Sequence, residues 1–524
     1  MERKEDIGRM HTAGITIDFE YGELWRGLHR SNPLSFKRPY SFLVYKDRDK
    51  YMAEDWRGRI RFEDDDASEV INSVLDNGYE FVFIRKDEYI INSTLNAKSG
   101  IRLVSDGAVL KKGSDVLLLK IKDVEDFWIV GFTLDGNFID GNHIVYCNNC
   151  KRVRILENKF VNPPSDMFML TFQVTPSYYC EVRGNYFDGS GVTGCDAFAG
   201  VPFKSVIKEN YIKDAPSGGI TSGVMNDVII ESNIIDNPKA SGISIDAGTD
   251  PSRGVVIKNN AILNTGENGI NLGWSRDYPI YDAIVEGNYI YKPSRHGISV
   301  YCGRKVQIIG NTIIEARYDG IVVRGVDDVI IQGNMVIDPN AGENTKYRDG
   351  DGIVFFSDKL TGYGDDRTHF TIVDNIVKDE RSTPLMLLGI SLHLDTSVPT
   401  YPRKGRVVGN IIEGSKEEAI ALVNEAYQTK SFNFSDYEIS VRRNYGFTTE
   451  NSGVATFSGD GSTTEFKIKH GLVSTPSKYG VSPLTPDADA LRTITVDDTY
   501  ITITFDTAPP SGTDNVKFGW WAEV

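Results

Sequence analysis

The sequence predicts an all-β fold in which short strands stack in repeating units. One Asn recurs through the middle of the chain, at short intervals as far as Asn334 and at longer intervals from there to Asn444. Apolar, mostly β-branched residues stand three positions before and two positions after nearly every one of these Asn residues. Glycine contributes 50 of the 524 residues, above the usual share of about 7 %, and so provides many turns. The recurring residues are Asn158, Asn185, Asn210, Asn233, Asn260, Asn288, Asn311, Asn334, Asn375, Asn410 and Asn444.

The repeat length and the β-branched residues exclude a helical unit. A short alternating strand cannot bury its apolar side alone, whereas stacked units bury a continuous core. Asn is the non-glycine residue that best tolerates a positive φ, so we expect each repeat Asn to occupy a tight turn. The stacked Asn side chains should also hydrogen-bond to one another along the stack.

This pattern resembles the right-handed parallel β-helix of the pectate-lyase-like superfamily over roughly residues 80 to 447. The resemblance implies a solenoid of roughly 12 coils. The superfamily includes polysaccharide lyases, glycoside hydrolases, uronate epimerases, esterases, phage-tailspike-like proteins and non-catalytic adhesins, so the fold alone does not select a reaction.

The predicted solenoid occupies residues 61–450 and begins with a short capping helix. Asp66-Ala67-Ser68-Glu69 forms a capping-box pattern before an apolar stretch, and Gly78 is a stop signal, which predicts a helix over 66–77. Gly107 and Gly131 are expected at the turns of two earlier, less regular coils. Residues 1–60 lack the repeat and are rich in aromatic residues, so they are predicted to form an extension or attachment region.

The C-terminal segment 451–524 has no Asn repeat and shows alternating polar and apolar residues instead, as in Tyr500–Phe505. Turn sequences at 459–461 and 509–512 separate its strands. It is predicted to be a small β-sandwich-like module. It resembles C-terminal modules of tail-fibre and surface proteins, and carbohydrate binding, oligomerisation and simple end-capping all remain open for it.

Composition narrows the functional classes. The 57 Lys and Arg residues against 73 Asp and Glu residues give a net charge of −16, which argues against a nucleic-acid-binding protein. Neither a long uninterrupted apolar run nor a signal-peptide pattern is present. Five Cys do not make a disulfide scaffold, and Cys147 and Cys150, without a second such pair, favour packed thiols over zinc.

A second repeated feature, Gly-Ile, predicts where a groove lies. The segment from the Ile of this landmark to the repeat Asn of its own coil is short in two successive coils, 298–311 and 321–334. It is longer in the coils 243–260, 270–288 and 353–375. Two coils with minimal turns between coils with insertions should form a cleft. Loops on a rigid scaffold are where binding and catalytic residues concentrate.

Alternation along the strands places side chains in this cleft. If each landmark Ile points inward, the next residue and the residue two positions beyond that one point outward. The predicted binding residues are Asp246, Trp274, Arg276, Arg304, Tyr347, Arg348, Phe356 and His393. The cleft is locally basic on an acidic protein and contains aromatic residues. Because Arg pairs bidentately with carboxylates and sugars stack on aromatic faces, the preferred ligand is an acidic, uronate-containing polysaccharide.

Three activities remain open. A lyase would use Arg324 to neutralise the uronate carboxylate, His296 or Lys346 as base and Tyr301 as proton donor, with Asp319 orienting His296. A hydrolase would use Asp319 and Asp351, which lie in neighbouring coils of one column. An adhesin would bind the glycan without cleaving it. The lyase is favoured over the hydrolase.

The resemblance also carries expectations about ions, assembly and location. Many such lyases use Ca²⁺, for which Asp277, Asp349 and Asp358 are the candidate ligands. No organic cofactor is expected. The likeness to tailspike architecture implies a homotrimer that is extracellular or attached to a virion, with neither a nucleic-acid partner nor insertion into a membrane.

Overall fold

The structure is a computed structural model, and it confirms an all-β solenoid of parallel strands. It describes residues 9–12, 15–18, 40–78, 80–165, 168–173, 175–190, 198–200, 202–245, 250–273, 279–342, 349–357, 369–394, 404–423 and 438–524. Each coil contributes a strand to each of three faces, which we call sheets I, II and III. The buried residues of all coils form one continuous core from Phe42 to Val441.

Sheet I is an uninterrupted stack of 13 parallel strands, of which the last ten each follow the repeat Asn of their coil. These strands are Glu88–Ile91, Val109–Lys112, Thr133–Asp135, Lys159–Val161, Tyr186–Asp188, Tyr211–Lys213, Ile234–Asp236, Ala261–Leu263, Tyr289–Tyr291, Thr312–Ile314, Met335–Ile337, Ile376–Lys378 and Ile411–Glu413.

Sheet II contains the strands that follow sheet I in each coil, and from Ile220 to Ile390 they begin at the Ile of the Gly-Ile landmark. They are Leu95–Asn96, Leu119–Lys122, Val145–Asn148, Leu170–Phe172, Phe198–Ala199, Ile220–Ser222, Ile243–Ile245, Ile270–Leu272, Ile298–Ile309, Ile321–Gln332, Ile353–Ser357, Ile390–Leu394 and Ile420–Val423. Two of them, Ile298–Ile309 and Ile321–Gln332, continue into sheet III, so the two faces are joined there.

Sheet III contains the strands that lead into the Asn corner. In addition to the two shared strands they are Phe42–Asp47, Phe81–Ile84, Arg102–Ser105, Trp128–Val130, Arg154–Leu156, Glu181–Arg183, Val206–Lys208, Asn226–Glu231, Ser252–Lys258, Ile280–Glu286, His369–Val373, Lys404–Val408 and Ile439–Arg442. Lys50–Asp55 and Ile60–Asp64 extend this sheet in antiparallel orientation.

The predicted Asn ladder is present at every repeat. In each step the backbone N–H and the side-chain Nδ2 of one Asn both donate to Oδ1 of the next, as from Asn260 to Asn288 at 3.0 and 2.9 Å. Nδ2 of Asn260 also donates to the carbonyl of Ile230, 3.0 Å away. The ladder residues are 5 % exposed or less. They therefore satisfy each other's polar groups inside the solenoid.

The expectation that the Asn itself takes a positive φ is wrong. The residue immediately before it does so, for example Glu157 (φ 55°), Ser232 (φ 55°), Asn259 (φ 55°) and Gly287 (φ 62°). That preceding residue turns the corner at the surface. The ladder Asn can then keep an ordinary backbone conformation and direct its side chain along the stack. Gly131 (φ 80°) and Gly107 (φ 109°) turn the earlier coils, as predicted.

The capping helix runs from Ala67 to Asp76, within the predicted range. Asp66 caps it by accepting a hydrogen bond from the Ser68 backbone N–H at 2.8 Å. Gly78, with a φ of 68°, follows its end. The buried face of this helix, which includes Val70, Ile71 and Val74, packs into the solenoid core.

The N-terminal boundary differs from the prediction that residues 1–60 form a separate extension. Phe42–Asp47 pairs in parallel with Phe81–Ile84, so this segment begins sheet III. Phe42 and the nearby Tyr51 belong to the core, where the Tyr51 ring lies 5.6 Å from that of Tyr89. Nearer the terminus, Arg9–Thr12 and Ile15–Asp18 pair as an antiparallel hairpin.

The C-terminal strands form two three-stranded antiparallel sheets around a second core, as a sandwich-like module requires. One sheet contains Glu450–Gly459, Gly512–Glu523 and Lys478–Pro483, and the other contains Glu465–Lys469, Tyr500–Phe505 and Arg492–Val496. A 3₁₀ turn, Pro486–Ala488, precedes the last of these. Within the described segments, no helix is long and apolar enough to cross a membrane.

The ladder yields a prediction about stability. Replacing Asn260 with Ala removes the acceptor of the Asn233 N–H and the donor to the Ile230 carbonyl, both in the preceding coil, so the free energy of unfolding should fall by about 3 kcal/mol. The matched control is Asn259→Gly at the adjacent exposed corner, where glycine adopts the positive φ without strain and the change should stay within about 0.5 kcal/mol. Urea unfolding of both proteins measures the difference. Equal losses would contradict the ladder's role.

Candidate functional site

The predicted cleft floor is the pair of strands shared by sheets II and III. Ile298–Ile309 and Ile321–Gln332 pair in register and turn the corner without a loop. In the coils on either side, sheet II ends at Leu272 or Ser357 and sheet III resumes at Ile280 or His369. The short corner between longer ones is therefore confirmed.

Most of the predicted cleft walls lie outside the described residues. This applies to Asp246, Trp274, Arg276, Asp277, Lys346, Tyr347, Arg348 and Asp358. The remaining predicted residues, which are described, come from the floor and from the corner that precedes sheet II. These described residues form the part of the site whose geometry the structure gives.

The outward column on sheet II brings four of the predicted residues together. Tyr301, Arg324, Phe356 and His393 stand opposite one another in successive strands. The Arg324 guanidinium lies 5.3 Å from the centre of the Phe356 ring, and that ring lies 4.1 Å from the imidazole of His393. His393 is 7 % exposed, whereas Arg324 is exposed. The column thus presents a cation flanked by aromatic rings.

The residue directly after each landmark Ile was also expected to face the groove. Alternation does place it on the outer side, but it is buried: Asn271 is 3 %, Ser299 0 % and Val322 3 % exposed. The accessible floor therefore begins one pleat further along, at Tyr301 and Arg324. Sequence alternation gives the side of the sheet that a residue faces, but it does not show what covers that side.

His296 and Asp319 contact each other at the corner that leads into sheet II. Nδ1 of His296 lies 3.1 Å from Oδ2 of Asp319 and 3.4 Å from the Asp319 backbone nitrogen. We assign Nδ1 as the protonated nitrogen, because the carboxylate is the nearer acceptor and carries a charge. This tautomer leaves Nε2 of His296 as a proton acceptor. The predicted orienting role of Asp319 is consistent with this contact.

The same contact belongs to a polar ladder that the sequence did not indicate. Oδ1 of Asn268 accepts a hydrogen bond from the His296 N–H at 3.1 Å. Oδ1 of Asp319 accepts from the Asp351 N–H at 2.8 Å, and Oδ1 of Asp351 accepts from the Leu388 N–H at 3.1 Å. Asn268, Asp319 and Asp351 thus each accept a hydrogen bond from the backbone of the next coil, whereas His296 contacts the side chain of Asp319. In the sequence, these ladder residues stand out only as polar residues that recur two positions before the landmark Ile.

Asp351 and Asp349, which the sequence did not distinguish, differ in how deeply they are buried. Asp351, predicted as a catalytic carboxylate, is completely buried and bonds to the backbone of the next coil, so it does not line the floor. Asp349, predicted as a calcium ligand, is only partly buried. Burial and the neighbouring Asp319 raise the pKa of Asp349, and His296 and Arg295 offset part of that rise.

Tyr301 lies within the electrostatic reach of the same groups. Burial raises the pKa of the Tyr301 phenol, the carboxyls of Asp319 and Asp349 add to the effect, and Arg324 opposes it. The phenol therefore keeps its proton at neutral pH. Arg324 on the strand and Asp319 and Asp349 at or near the preceding corner thus all influence the pKa of the same phenol.

A second charged cluster lies in the middle of the floor strands. The Nε atom of Arg304, a predicted binding residue, is 3.6 Å from carboxylate oxygens of both Asp327 and Asp328. His369 completes the cluster, with Nδ1 3.5 Å from Asp328. One ligand atom each from Asp327, Asp328 and His369 lie within 4.8 Å of one another, a spacing compatible with a metal ion. The Arg304 guanidinium already supplies positive charge beside these carboxylates.

Comparison with known proteins agrees with this architecture. The family model for the right-handed beta helix region matches residues 143–276 and 249–460, which together span more than half of the chain. A search of curated proteins gives no match.

Solved structures with similar folds come from several sources. A tailspike protein of E. coli bacteriophage HK620, in complex with a pentasaccharide, is 12% identical with a TM-score of 0.52; the match covers 87% of this chain and 90% of that one. The A-module of mannuronan C-5 epimerase AlgE6 from Azotobacter vinelandii is 15% identical, with a TM-score of 0.46 and coverage of 72% and 93%. The surface adhesin PfbA of Streptococcus pneumoniae is 12% identical, with a TM-score of 0.42 and coverage of 70% and 93%.

The environment of Asp349 predicts how its removal changes stability with pH. Because the folded protein holds this proton more tightly than the unfolded chain, the parent protein loses stability as pH rises from the ordinary Asp pKa of about 3.9 through the raised folded value. The Asp349→Asn protein should escape that loss and gain stability relative to the parent over the same rise.

Urea unfolding at acidic and neutral pH tests this expectation. Asp374→Asn, which removes an exposed corner carboxyl, is the control for the loss of one charge. If the stability difference between the parent and Asp349→Asn does not change with pH, the described environment of Asp349 is incorrect.

Proposed function

The chain belongs to the right-handed β-helix family, and on that premise we propose that it is an enzyme that cleaves an acidic polysaccharide. The proposal rests on the contact between His296 and Asp319 at the corner that leads into the loop-free floor, on which Tyr301 and Arg324 stand opposite each other. The fold is shared with a bacteriophage tailspike whose structure holds a pentasaccharide.

The reaction that these groups fit best is β-elimination at a uronate residue. Arg324 pairs with the uronate carboxylate and stabilises the charge that develops when the adjacent carbon loses its proton. Nε2 of His296 accepts the C5 proton, a C4–C5 double bond forms, and the C4–O4 bond breaks. The Tyr301 phenol donates its proton to the departing O4, which leaves as a hydroxyl.

The electrostatics support these assignments. A general acid must be protonated when the substrate binds, and burial raises the pKa of Tyr301. A histidine base needs one unprotonated nitrogen, which the contact between Asp319 and Nδ1 leaves at Nε2. Arg324 is exposed beside the Phe356 ring, where a sugar carboxylate has access to its donors.

Hydrolysis is the second candidate, and the raised pKa of Asp349 favours it. A carboxyl that remains protonated at higher pH than usual can act as the general acid, and Asp319 would be its ionised partner. Asp349 thus replaces Asp351 in the pair. Asp319 is less suited to activating water, because its Oδ1 accepts backbone N–H groups from both Gly350 and Asp351 and its Oδ2 faces His296.

Of the three candidate calcium ligands, Asp349 alone lies within the described part of the chain. We assign no step of the reaction to calcium.

Assembly and location follow as proposals from the same comparison. The protein is proposed to be a homotrimer that is attached to a virion, as the name of tailspike proteins indicates for them, or exposed outside a cell. Either location would bring it to a surface polysaccharide. Sedimentation analysis of the full chain measures the oligomeric state directly.

The products decide between the activities. The chain is incubated with pectate, alginate and glucuronan, with and without calcium, and both ultraviolet absorbance and new reducing ends are followed. Absorbance from an unsaturated product would establish elimination. Reducing ends without absorbance would establish hydrolysis by Asp319 and Asp349. Binding without shortening of any polymer would contradict cleavage and favour an adhesin.

The proton-donor assignment predicts a loss of turnover. Tyr301→Phe keeps the ring and removes the hydroxyl, so kcat should fall by about 10²- to 10⁴-fold while KM changes little. Tyr289→Phe is the matched control, because this half-buried tyrosine also has a raised pKa but lies on sheet I. Its kcat should equal that of the parent. A Tyr301→Phe protein with the parent's kcat would exclude Tyr301 as the acid.

A further inference from the structure

A groove on sheet III, far from the floor, combines arginine and aromatic side chains. Its volume is about 520 Å³. The residues that line it are Glu80, Gly100, Arg102, Asp126, Trp128, Arg152, Arg154 and Tyr179. Three guanidiniums and two carboxylates line it, and Glu125 and Glu181 pair with Arg152 and Arg154 from outside this lining. We call this surface the sheet III groove.

The centre of the groove is a stacked trio. Arg102, Trp128 and Arg154 stand opposite one another in three successive strands. The guanidinium carbon of Arg102 lies 4.8 Å from the Trp128 ring centre, and that of Arg154 lies 4.5 Å from it. Stacking on both faces of the indole holds each guanidinium plane in place and leaves its N–H edge available.

The ion pairs in the groove differ in strength. Arg152 is held by Asp126 through two contacts of 2.6 and 2.7 Å. Arg102 and Arg154 have only single contacts of 3.5 Å, with Glu80 and Glu181 respectively, and the two arginine side chains are 45% and 44% exposed. Such exposed ion pairs contribute little to stability. A ligand carboxylate can therefore replace Glu80 and Glu181 as the partner of these arginines at a small cost in free energy. Arg102 and Arg154 are therefore the groups that can accept an anion.

An aromatic side chain stands beside these two arginines. Tyr179, at one side of the groove, is 52 % exposed, and its ring lies 6.4 Å from that of Tyr178. An exposed ring beside fixed guanidiniums suits a ligand with both an apolar ring face and a carboxylate. A uronate residue in a polysaccharide has both.

We infer that the sheet III groove is a second, non-catalytic site that holds the same class of acidic polysaccharide as the cleavage site. This inference rests on the proposed function for its ligand class. Seven pairings separate the Trp128 strand from the floor strand Ile298–Ile309. At the usual strand spacing this is about 34 Å along the solenoid. A polymer can reach both sites at once, whereas a short oligomer cannot, so the groove should raise affinity for long chains alone.

Binding of polymer by the full chain tests the inference. Retention in gels that contain pectate, alginate or glucuronan is compared for the parent and for Arg102→Gln/Arg154→Gln. Loss of two charge-assisted contacts should weaken retention by the preferred polymer at least about tenfold. Tyr179→Ser, which removes only the exposed ring, should cause a smaller loss.

The matched control is Lys111→Gln/Lys159→Gln. It removes two positive charges at a similar height of the solenoid but on sheet I, where Lys111 pairs with Glu88 and Lys159 lies over Tyr186. This protein should be retained like the parent. Retention of none of the polymers by the parent, or equal retention of the arginine variant and the parent, would overturn the inference.

The readout separates this inference from the proposed reaction. Retention requires no turnover, so the groove can hold polymer even if Tyr301 and His296 catalyse nothing. Conversely, if cleavage occurs and the groove holds nothing, Arg102→Gln/Arg154→Gln will have the parent's KM for polymer. If both proposals hold, this variant has a raised KM for polymer, an unchanged kcat and unchanged kinetics on short oligomers.

Discussion

The Asn ladder imposes the constraint on which the rest of the solenoid depends. Each ladder side chain donates to and accepts from its equivalents in the coils above and below, as Asn260 does with Asn233 and Asn288. These groups are buried, so a coil that shifted by one residue would leave several of them unpaired. The Asn corner is therefore held at fixed length between sheets III and I, and variation in coil length moves to the other two corners. That division explains why the insertions lie at the two corners that border sheet II and not at the corner between sheets III and I.

The candidate site uses the same geometry at a different corner. In the column of Asn268, His296, Asp319 and Asp351, the amide and the two carboxylates accept backbone N–H groups of the next coil, as the Asn ladder does. Three of these four side chains are titratable, and His296 and Asp319 lie at the end of the loop-free floor. Their contacts hold them in position, which in the proposed reaction would lower the cost of ordering them when substrate binds. Asp351, one coil further along, has only the structural part of this role.

Features that depend on the repeat could be predicted from the sequence. Features that depend on which residues cover a surface could not. The spacing of the repeat located the solenoid and the loop-free coils that begin at Ile298 and Ile321. This was possible because the number of residues between equivalent positions is the length of each coil. The spacing did not distinguish Asp351 from Asp349, since burial depends on residues distant in the chain. It also placed residues 40–60 outside the solenoid, because Phe42–Asp47 joins sheet III without carrying the Asn repeat. The positive φ was assigned to the Asn itself, although the preceding residue, which has a variable identity, turns the corner.

In-register stacking also determines which surfaces the solenoid can offer to a ligand. Side chains at equivalent positions stand about 4.8 Å apart, so two arginines in adjacent strands would repel each other. Aromatic residues separate them instead: Trp128 stands between Arg102 and Arg154, and Arg324 stands between Tyr301 and Phe356. Alternating cations and rings stabilise the stack by cation–π contact. The same alternation exposes ring faces and cations side by side on one surface. These are the two kinds of group that the proposed acidic polysaccharide would need, so the stacking constraint and the proposed binding call for the same arrangement.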